Sequence, residues 1–252
     1  MAIIYWGMAD SYEKIFEKML LRKVPNYFLE LMRKYFRVQV EGAEHLPKRG
    51  PAIIAPNHSG ASGLDAMILM HEIERSCGRL PRVMTHRFWF MTKHLSLTAN
   101  KLGFIKATTE NGMRQLEKNH IMVLFPEGEK GNFKPSIKAY QLQEFKRGFV
   151  RLAIKTGAPI IPTVIIGAEE THINLSQFKL TKYMPGLLIP LPLNFIPLPS
   201  KWKIKFLPPL YLPYKPTAAN DTELVREITD DIREQIQERL RSEIKKRKKI
   251  FF

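Results

Sequence analysis

Three side chains within eleven residues raise the first chemical question: Asn57, His58 and Asp65 in the stretch APNHSGASGLD. A histidine with a pKa near ~6.5 is mostly a free base at neutral pH. It can take a proton from an alcohol as that alcohol attacks a carbonyl. It does so better when a carboxylate holds the other ring nitrogen as N–H and stabilises the imidazolium. Asp65 is the available carboxylate. On one continuous helix the two residues would be about 10 Å apart, so His58 must lie in a loop that folds back onto the Asp65 turn. Gly60 and Gly63 permit such a loop. The competing reading is a capped turn, with Asp65 or Ser62 at a helix N-terminus and His58 a satisfied loop residue.

A serine nucleophile fits less well. Gly60-Ala61-Ser62-Gly63 places its second glycine one residue too early for the G-x-S-x-G elbow. His71, His86 and His94 are scattered and form no H-E-x-x-H metal motif. A second polar turn, Phe125-Pro126-Glu127-Gly128-Glu129-Lys130, follows the apolar run Ile121–Leu124. Its glycine N–H groups, with Lys130 and Lys134, could hold an anion, and Glu127 could bind hydroxyls or orient Lys130. The alternative is a solvated strand-to-helix turn.

Both turns need strands to carry them. Ala52-Ile53-Ile54-Ala55 and Ile121–Leu124 are short continuous apolar runs of the buried-strand type. Further strands are expected around Val38–Val40, at 81–86, 104–105 and 158–168, and in WKIKFLPPL. Helices are expected after Asp65, over 110–119, over 138–157 closed by Gly157, and from about Asn220 to the basic tail. Leu224, Ile228, Ile232, Ile236, Leu240 and Ile244 recur at fours along that last helix as one apolar stripe. Strands alternating with helices imply an α/β domain with a central, largely parallel sheet flanked by helices. In such sheets ligands gather at the carboxyl ends of strands, where both polar turns lie.

Ahead of this domain, residues 1–37 read as an extension of two amphipathic helices. Tyr12, Ile15, Phe16, Met19 and Leu20 mark the first, Phe28, Leu31, Met32, Tyr35 and Phe36 the second, with Pro25 between. Aromatics on one face and Lys or Arg elsewhere suit either a membrane interface or packing on the body. Residues 38–252 form the second unit.

The chain carries 40 Lys+Arg against 24 Asp+Glu, a formal charge of +16. Residues 131–220 alone hold 12 Lys+Arg against 3 Asp+Glu, so the surplus favours a partner rich in phosphate. No nucleic-acid-reading module accompanies the charge, and nucleic acid is not expected as a partner. One cysteine, Cys77, excludes an internal disulfide. The N-terminus lacks the basic and apolar regions of a secretory signal. The longest uncharged stretch, Tyr183 to Ser200, holds five prolines and is not expected to span a membrane. It reads as short strands and turns, or as an apolar loop touching lipid.

In order and spacing, the motifs resemble the glycerolipid acyltransferase superfamily, typified by 1-acylglycerol-3-phosphate O-acyltransferase. A strand runs into Asn57-His58 and Asp65. Gly103-Phe104-Ile105, Phe125-Pro126-Glu127-Gly128 and Pro159-Ile160-Ile161-Pro162 follow, the whole covering about residues 38–215. The resemblance implies His58 as general base, oriented by Asp65, for a lipid hydroxyl attacking the thioester of acyl-CoA or acyl-carrier protein. No cofactor is implied. Asn57, Phe125, Pro126, Glu127, Gly128, Lys130 and Lys106 would lie in the acceptor site. The partners implied are a lysolipid acceptor and an anionic phospholipid surface, with the enzyme peripheral or monotopic on the cytoplasmic face.

Three departures stand out. The His58–Asp65 spacing is H-x6-D where the family has H-x4-D. Thr109 stands where the second block usually carries an arginine, with Lys106 and Arg114 nearby. Glu129-Lys130-Gly131 follows FPEG where Thr-Arg-Ser is usual. Lysine does not fork onto phosphate as arginine does, so the acceptor is open between lysophosphatidate, another lysophospholipid and a related lipid alcohol. The non-enzymatic alternative is a basic lipid-binding or membrane-shaping protein on the same fold.

Overall fold

The computed structural model describes residues 24–59, 62–86, 90–179 and 188–251. The first expected helix, Tyr12 to Leu20, lies outside them. Helix α1 (Val24–Tyr35) leads into strand β1 (Gln39–Glu41). Strand β2 (Ala52–Pro56) and helix α2 (Leu64–Cys77) flank the histidine turn. β3 (Arg82–Thr85), α3 (Lys93–Lys101), β4 (Phe104–Lys106) and α4 (Thr109–Glu117) follow. β5 (Ile121–Val123) opens onto the short α5 (Glu129–Asn132). Then come α6 (Gly148–Thr156), β6 (Ile160–Ile166), the hairpin β7 (Asn174–Lys179) and β8 (Leu188–Pro192), β9 (Lys203–Phe206) and α7 (Thr222–Lys246).

Seven strands form one sheet in the order β1-β9-β6-β2-β5-β3-β4. All neighbours are parallel except β6 and β9. The sheet is therefore central and largely parallel, flanked by helices, as the pattern of elements implies. β7 and β8 pair separately as an antiparallel hairpin.

The apolar strands are buried on both faces because each residue parity serves a different core. On β2, Ala52 and Ile54 face one cluster with Ile68, Leu69 and Ile73 of α2. Ile53 and Ala55 face the other, with Phe149, Leu152 and Ala153 of α6 and Ile232, Ile236 and Leu240 of α7. Phe36, fully buried, stacks on Trp202 with ring centroids 4.7 Å apart, which ties the end of α1 to the first core.

Two expectations change. The helix expected over 138–157 begins only at Gly148. Tyr140 has φ 61, and the backbone groups of the following residues are taken by distant partners. Leu142 N–H donates to Gln237 Oε1, Gln143 N–H to Glu127 and Lys146 N–H to the Pro126 carbonyl. Arg233 donates to the carbonyls of Leu142 and Gln143. Once tertiary partners satisfy these groups, a helix offers the backbone nothing further.

On α7 the buried residues include Val225, Thr229, Ile232, Ile236, Leu240 and Glu243 rather than the full run of fours. Each step of four overshoots one turn by about 40°, so Leu224 and Ile244 rotate to the edges of the stripe. The basic tail is tethered: Arg247 pairs with Glu170 and donates to the Lys201 carbonyl.

Candidate active site

β2 and β5 lie side by side and parallel, so both polar turns leave the same edge of the sheet. β3 and β4 continue that edge. A cavity of about 580 Å³ opens there. Its walls include His58, Met67, Met84, Phe104, Phe125 and Leu152, with His86, Gly128, Glu129 and Lys146 as polar or charged members.

The turn after β2 folds back as the spacing requires. Asp65, fully buried in the first turn of α2, places Oδ2 2.6 Å from His58 Nδ1. The same oxygen accepts the Ser59 N–H at 2.9 Å, and Oδ1 accepts the Ala66 N–H at 2.8 Å. The helix N-terminus adds a favourable field for a carboxylate. With Nδ1 given to Asp65, Nε2 is the ring nitrogen left to act as a base. Phe125 stacks on the imidazole at 4.0 Å between centroids and 29° between planes, fixing its tilt.

The Phe125–Gly128 turn supports the histidine loop from below. Glu127, 1% exposed, accepts the His58 N–H on Oε1 at 2.9 Å and the Gln143 N–H on Oε2 at 2.8 Å. Gly128 holds φ 58, ψ −145, a conformation essentially restricted to glycine. A Cβ there would sit 2.7 Å from Lys146 Nζ, so the glycine also leaves the path by which Lys146 reaches the cavity. Gly131 is needed for another reason: its Cβ would lie 2.4 Å from Glu127 Cβ.

The expected site residues thus divide. His58, Phe125 and Gly128 line the cavity. Asn57 does not: its side chain donates to the Ile165 carbonyl at 2.9 Å and accepts the Ile165 N–H at 2.7 Å. It extends the β2–β6 ladder beyond Pro56. Pro126 is buried, and its carbonyl accepts the Lys146 N–H. Glu127 holds backbone rather than facing the cavity. Lys106 and Lys130 are exposed and lie outside the cavity wall. Lys134, expected with Lys130 to hold an anion, is instead buried between two carboxylates, 2.9 Å from Glu169 and 3.6 Å from Glu127.

Lys146, His86 and Glu129 are not among the site residues expected from sequence. Lys146 was hidden in the segment read as continuous helix. His86 Nε2 lies 3.2 Å from Glu129 Oε1 across the cavity wall, a pairing that joins the end of β3 to the start of α5. Among the described residues no helix is long and apolar enough to cross a membrane.

Comparison with known proteins agrees with this architecture. A family model described as Acyltransferase matches residues 37–166, just over half of the chain. An uncharacterised protein of Mycobacterium tuberculosis is 35% identical over 256 residues, covering 96% of this chain and 70% of that protein. A Bos taurus protein named "DGAT1/2-independent enzyme synthesizing storage lipids" is 27% identical over 146 residues, 58% of this chain and 43% of its own length. The crystal structure of the 1-acyl-sn-glycerophosphate acyltransferase PlsC from Thermotoga maritima superposes with a TM-score of 0.59 at 19% identity, covering 98% of this chain and 90% of that one. That likeness establishes a shared fold. The chain belongs to the acyltransferase family and is an acyltransferase enzyme.

Proposed function

We propose that the enzyme transfers a fatty acyl group from the thioester of acyl-CoA or acyl-carrier protein to a hydroxyl of a lysophospholipid, lysophosphatidate or related lipid. The observation that carries this reading is His58 in the wall of a mainly apolar cavity, its Nδ1 held by Asp65 at 2.6 Å. Nε2 takes the proton of the acceptor hydroxyl as its oxygen attacks the thioester carbonyl. The tetrahedral intermediate collapses with loss of the C–S bond. The proton passes from His58 to the departing thiolate, giving an ester and a free thiol. Asp65 keeps the reactive tautomer and stabilises the imidazolium. Lys146, the cavity's lysine, supplies positive charge for the anionic part of a substrate.

The reading places the enzyme on an anionic membrane surface, at the cytoplasmic face. It is supported by the +16 charge and by α1, whose Val24, Tyr27, Phe28, Leu31 and Tyr35 are all exposed along one stripe. Leu193, Phe195 and Ile196 beyond β8 add exposed apolar surface, and the Tyr35 hydroxyl donates to the Pro197 carbonyl beside them.

Purified enzyme mixed with acyl-CoA or acyl-carrier protein and a panel of lysolipids tests the chemistry by release of free thiol. The expected result is turnover with at least one acceptor, abolished in His58→Ala. Full turnover by His58→Ala would remove the histidine from the mechanism.

A further inference from the structure

Behind the catalytic turn lies a buried charge cluster that the mechanism above does not use. Lys134, Glu127 and Glu169 have side chains 4%, 0% and 4% exposed. Lys134 Nζ sits between the two carboxylates, nearer to Glu169. Glu169 also accepts the Tyr140 N–H on Oε2 at 2.7 Å. Ser59, adjacent to His58, faces a cavity of about 10 Å³ shared with Lys134, Asn132, Glu169, His172 and Asn174. Ser59 Oγ, Asn132 Oδ1, His172 Nε2 and Asn174 Oδ1 are buried there without a hydrogen-bond partner among the described residues. A polar chamber of that size suits one bound water.

We propose that Lys134 is a positioning residue for His58: its buried ammonium holds the Glu127 carboxylate in place, and that carboxylate fixes the catalytic turn through the N–H groups of His58 and Gln143. The proposal rests on the reading of His58 as the base. An ionised carboxylate cannot remain in so dry a place without a cation or several donors. Glu127 has two backbone donors, and the ammonium of Lys134 completes its surroundings. The two donors come from different loops, so Glu127 joins the turn after β2 to the segment that carries Lys146. Without the ammonium beside it, Glu127 loses its anchor and both contacts loosen.

Glu169 makes this arrangement sensitive to pH. Burial pushes its carboxyl up to about 7, against the opposing pull of Lys134. The charged and titratable groups around it are Lys134, Glu127 and His172, with Tyr140, Glu170 and Arg247 on its outer side. Below that pH Glu169 is neutral and Lys134 serves Glu127 alone. Above it the two carboxylates share one ammonium. The His58 N–H, bonded to Glu127, reports the change.

The test is the full-length protein labelled with ¹⁵N-histidine, in wild type and in Lys134→Met, Lys134→Arg and Glu169→Gln. His58 is assigned by its loss in His58→Gln. In wild type the His58 amide proton is expected downfield, with an inflection near pH 7. Glu169→Gln removes the inflection and keeps the downfield position. Lys134→Met moves the amide upfield, since the Glu127 carboxylate is then no longer held in line with the His58 N–H. Lys134→Arg restores the wild-type pattern, separating charge from folding.

In thiol-release assays with an acyl-CoA and a lysophospholipid, Lys134→Met is expected to lower kcat tenfold or more, with KM for the donor within twofold. A His58 amide indifferent to Lys134→Met, or an inflection that persists in Glu169→Gln, overturns the inference. Turnover by His58→Ala, measured alongside, would instead sink the reading of His58 as base and leave the amide result standing.

Discussion

Asp65 Oδ2 holds His58 twice over: it meets the imidazole at 2.6 Å and the next backbone N–H, that of Ser59, at 2.9 Å. One oxygen therefore sets both the ring tautomer and the course of the turn. Asp65→Asn keeps the size but presents an amide in place of a carboxylate. The expected outcome is a fall in kcat of roughly 10³-fold or more with little change in fold, as for an orienting carboxylate elsewhere. Steady-state thiol release and a far-ultraviolet spectrum check it. A variant with near-normal kcat would show that the pair is only structural.

Lys146 enters the cavity wall beneath Gly128, and no carboxylate partner is found for it among the described residues. Lys146→Ala is expected to raise KM for the substrate whose anionic part it meets by roughly tenfold or more, the loss of one charged hydrogen bond. Comparing lysophosphatidate with an uncharged lipid alcohol as acceptor, and acyl-CoA with acyl-carrier protein as donor, identifies that substrate. Unchanged KM for all four leaves Lys146 without a binding role.

Gly112 on α4 packs where a Cβ would lie 2.8 Å from Leu152 Cδ1 and 3.1 Å from Met84 Cε. Leu152 and Met84 both line the cavity. Gly112→Ala therefore pushes one or both inward, and Leu152→Ala opens the same region. The expected result is a preference moved toward shorter acyl chains in the first variant and longer ones in the second. The discrimination is on the order of tenfold in kcat/KM per methylene excluded. A chain-length series of acyl-CoA donors reads it directly. Identical profiles in both variants would place the acyl chain elsewhere.

The exposed stripe of α1 invites a charge test. Leu31→Asp with Phe28→Asp is expected to weaken binding to anionic phospholipid vesicles by roughly a hundredfold or more, from the loss of two apolar side chains from the lipid interface at ~1.5–3 kcal/mol each. Salt should weaken the wild-type interaction as well, since the positive surface contributes. Vesicle co-sedimentation measures both. Binding that survives the double substitution removes α1 from the docking surface.

Glu243 offers a stability test away from the site. Burial alone would raise its carboxyl, but hydrogen bonds from Lys203 and Lys205, at 2.8 and 3.1 Å, bring it from 4.5 down to about 2. A depressed carboxylate stabilises the fold above the unfolded value and loses that contribution as pH falls from 4.5 toward 2. Glu243→Gln is expected to cost roughly 2 kcal/mol at neutral pH and to flatten the fall of Tm through the acid window. Thermal melts at several pH values decide it, and an equally steep acid limb in the variant contradicts the assignment.

Much of this was legible along the chain because it depends on neighbours in sequence. The apolar runs of β2, β5 and β6 read as buried strands, since burial on both faces removes any need for alternation. His58, Asp65 and the FPEG turn were visible because strand ends carry ligands in such sheets. Distance required the H-x6-D loop to fold back if His58 and Asp65 were to meet, and the 2.6 Å contact decides between that and a merely capped turn. Residues 138–147 were not legible. Their composition permits a helix, and only Gln237, Arg233 and Glu127, distant in sequence, draw their backbone groups out of one.

The amino-acid sequence by itself therefore determined the sheet, the order of its motifs and the pair of residues proposed to do the chemistry. Tertiary structure decided which charges face the cavity. Lys130 and Lys134 read alike as cations of the polar turn and Lys106 as one beside the second block, yet Lys106 and Lys130 end in solvent and Lys134 is buried between Glu127 and Glu169. Lys146, unremarked in sequence, reaches the cavity because Gly128 leaves the space. The physical reason is that a lysine's role is fixed by what surrounds its ammonium, and those surroundings come from strands and loops far apart along the chain.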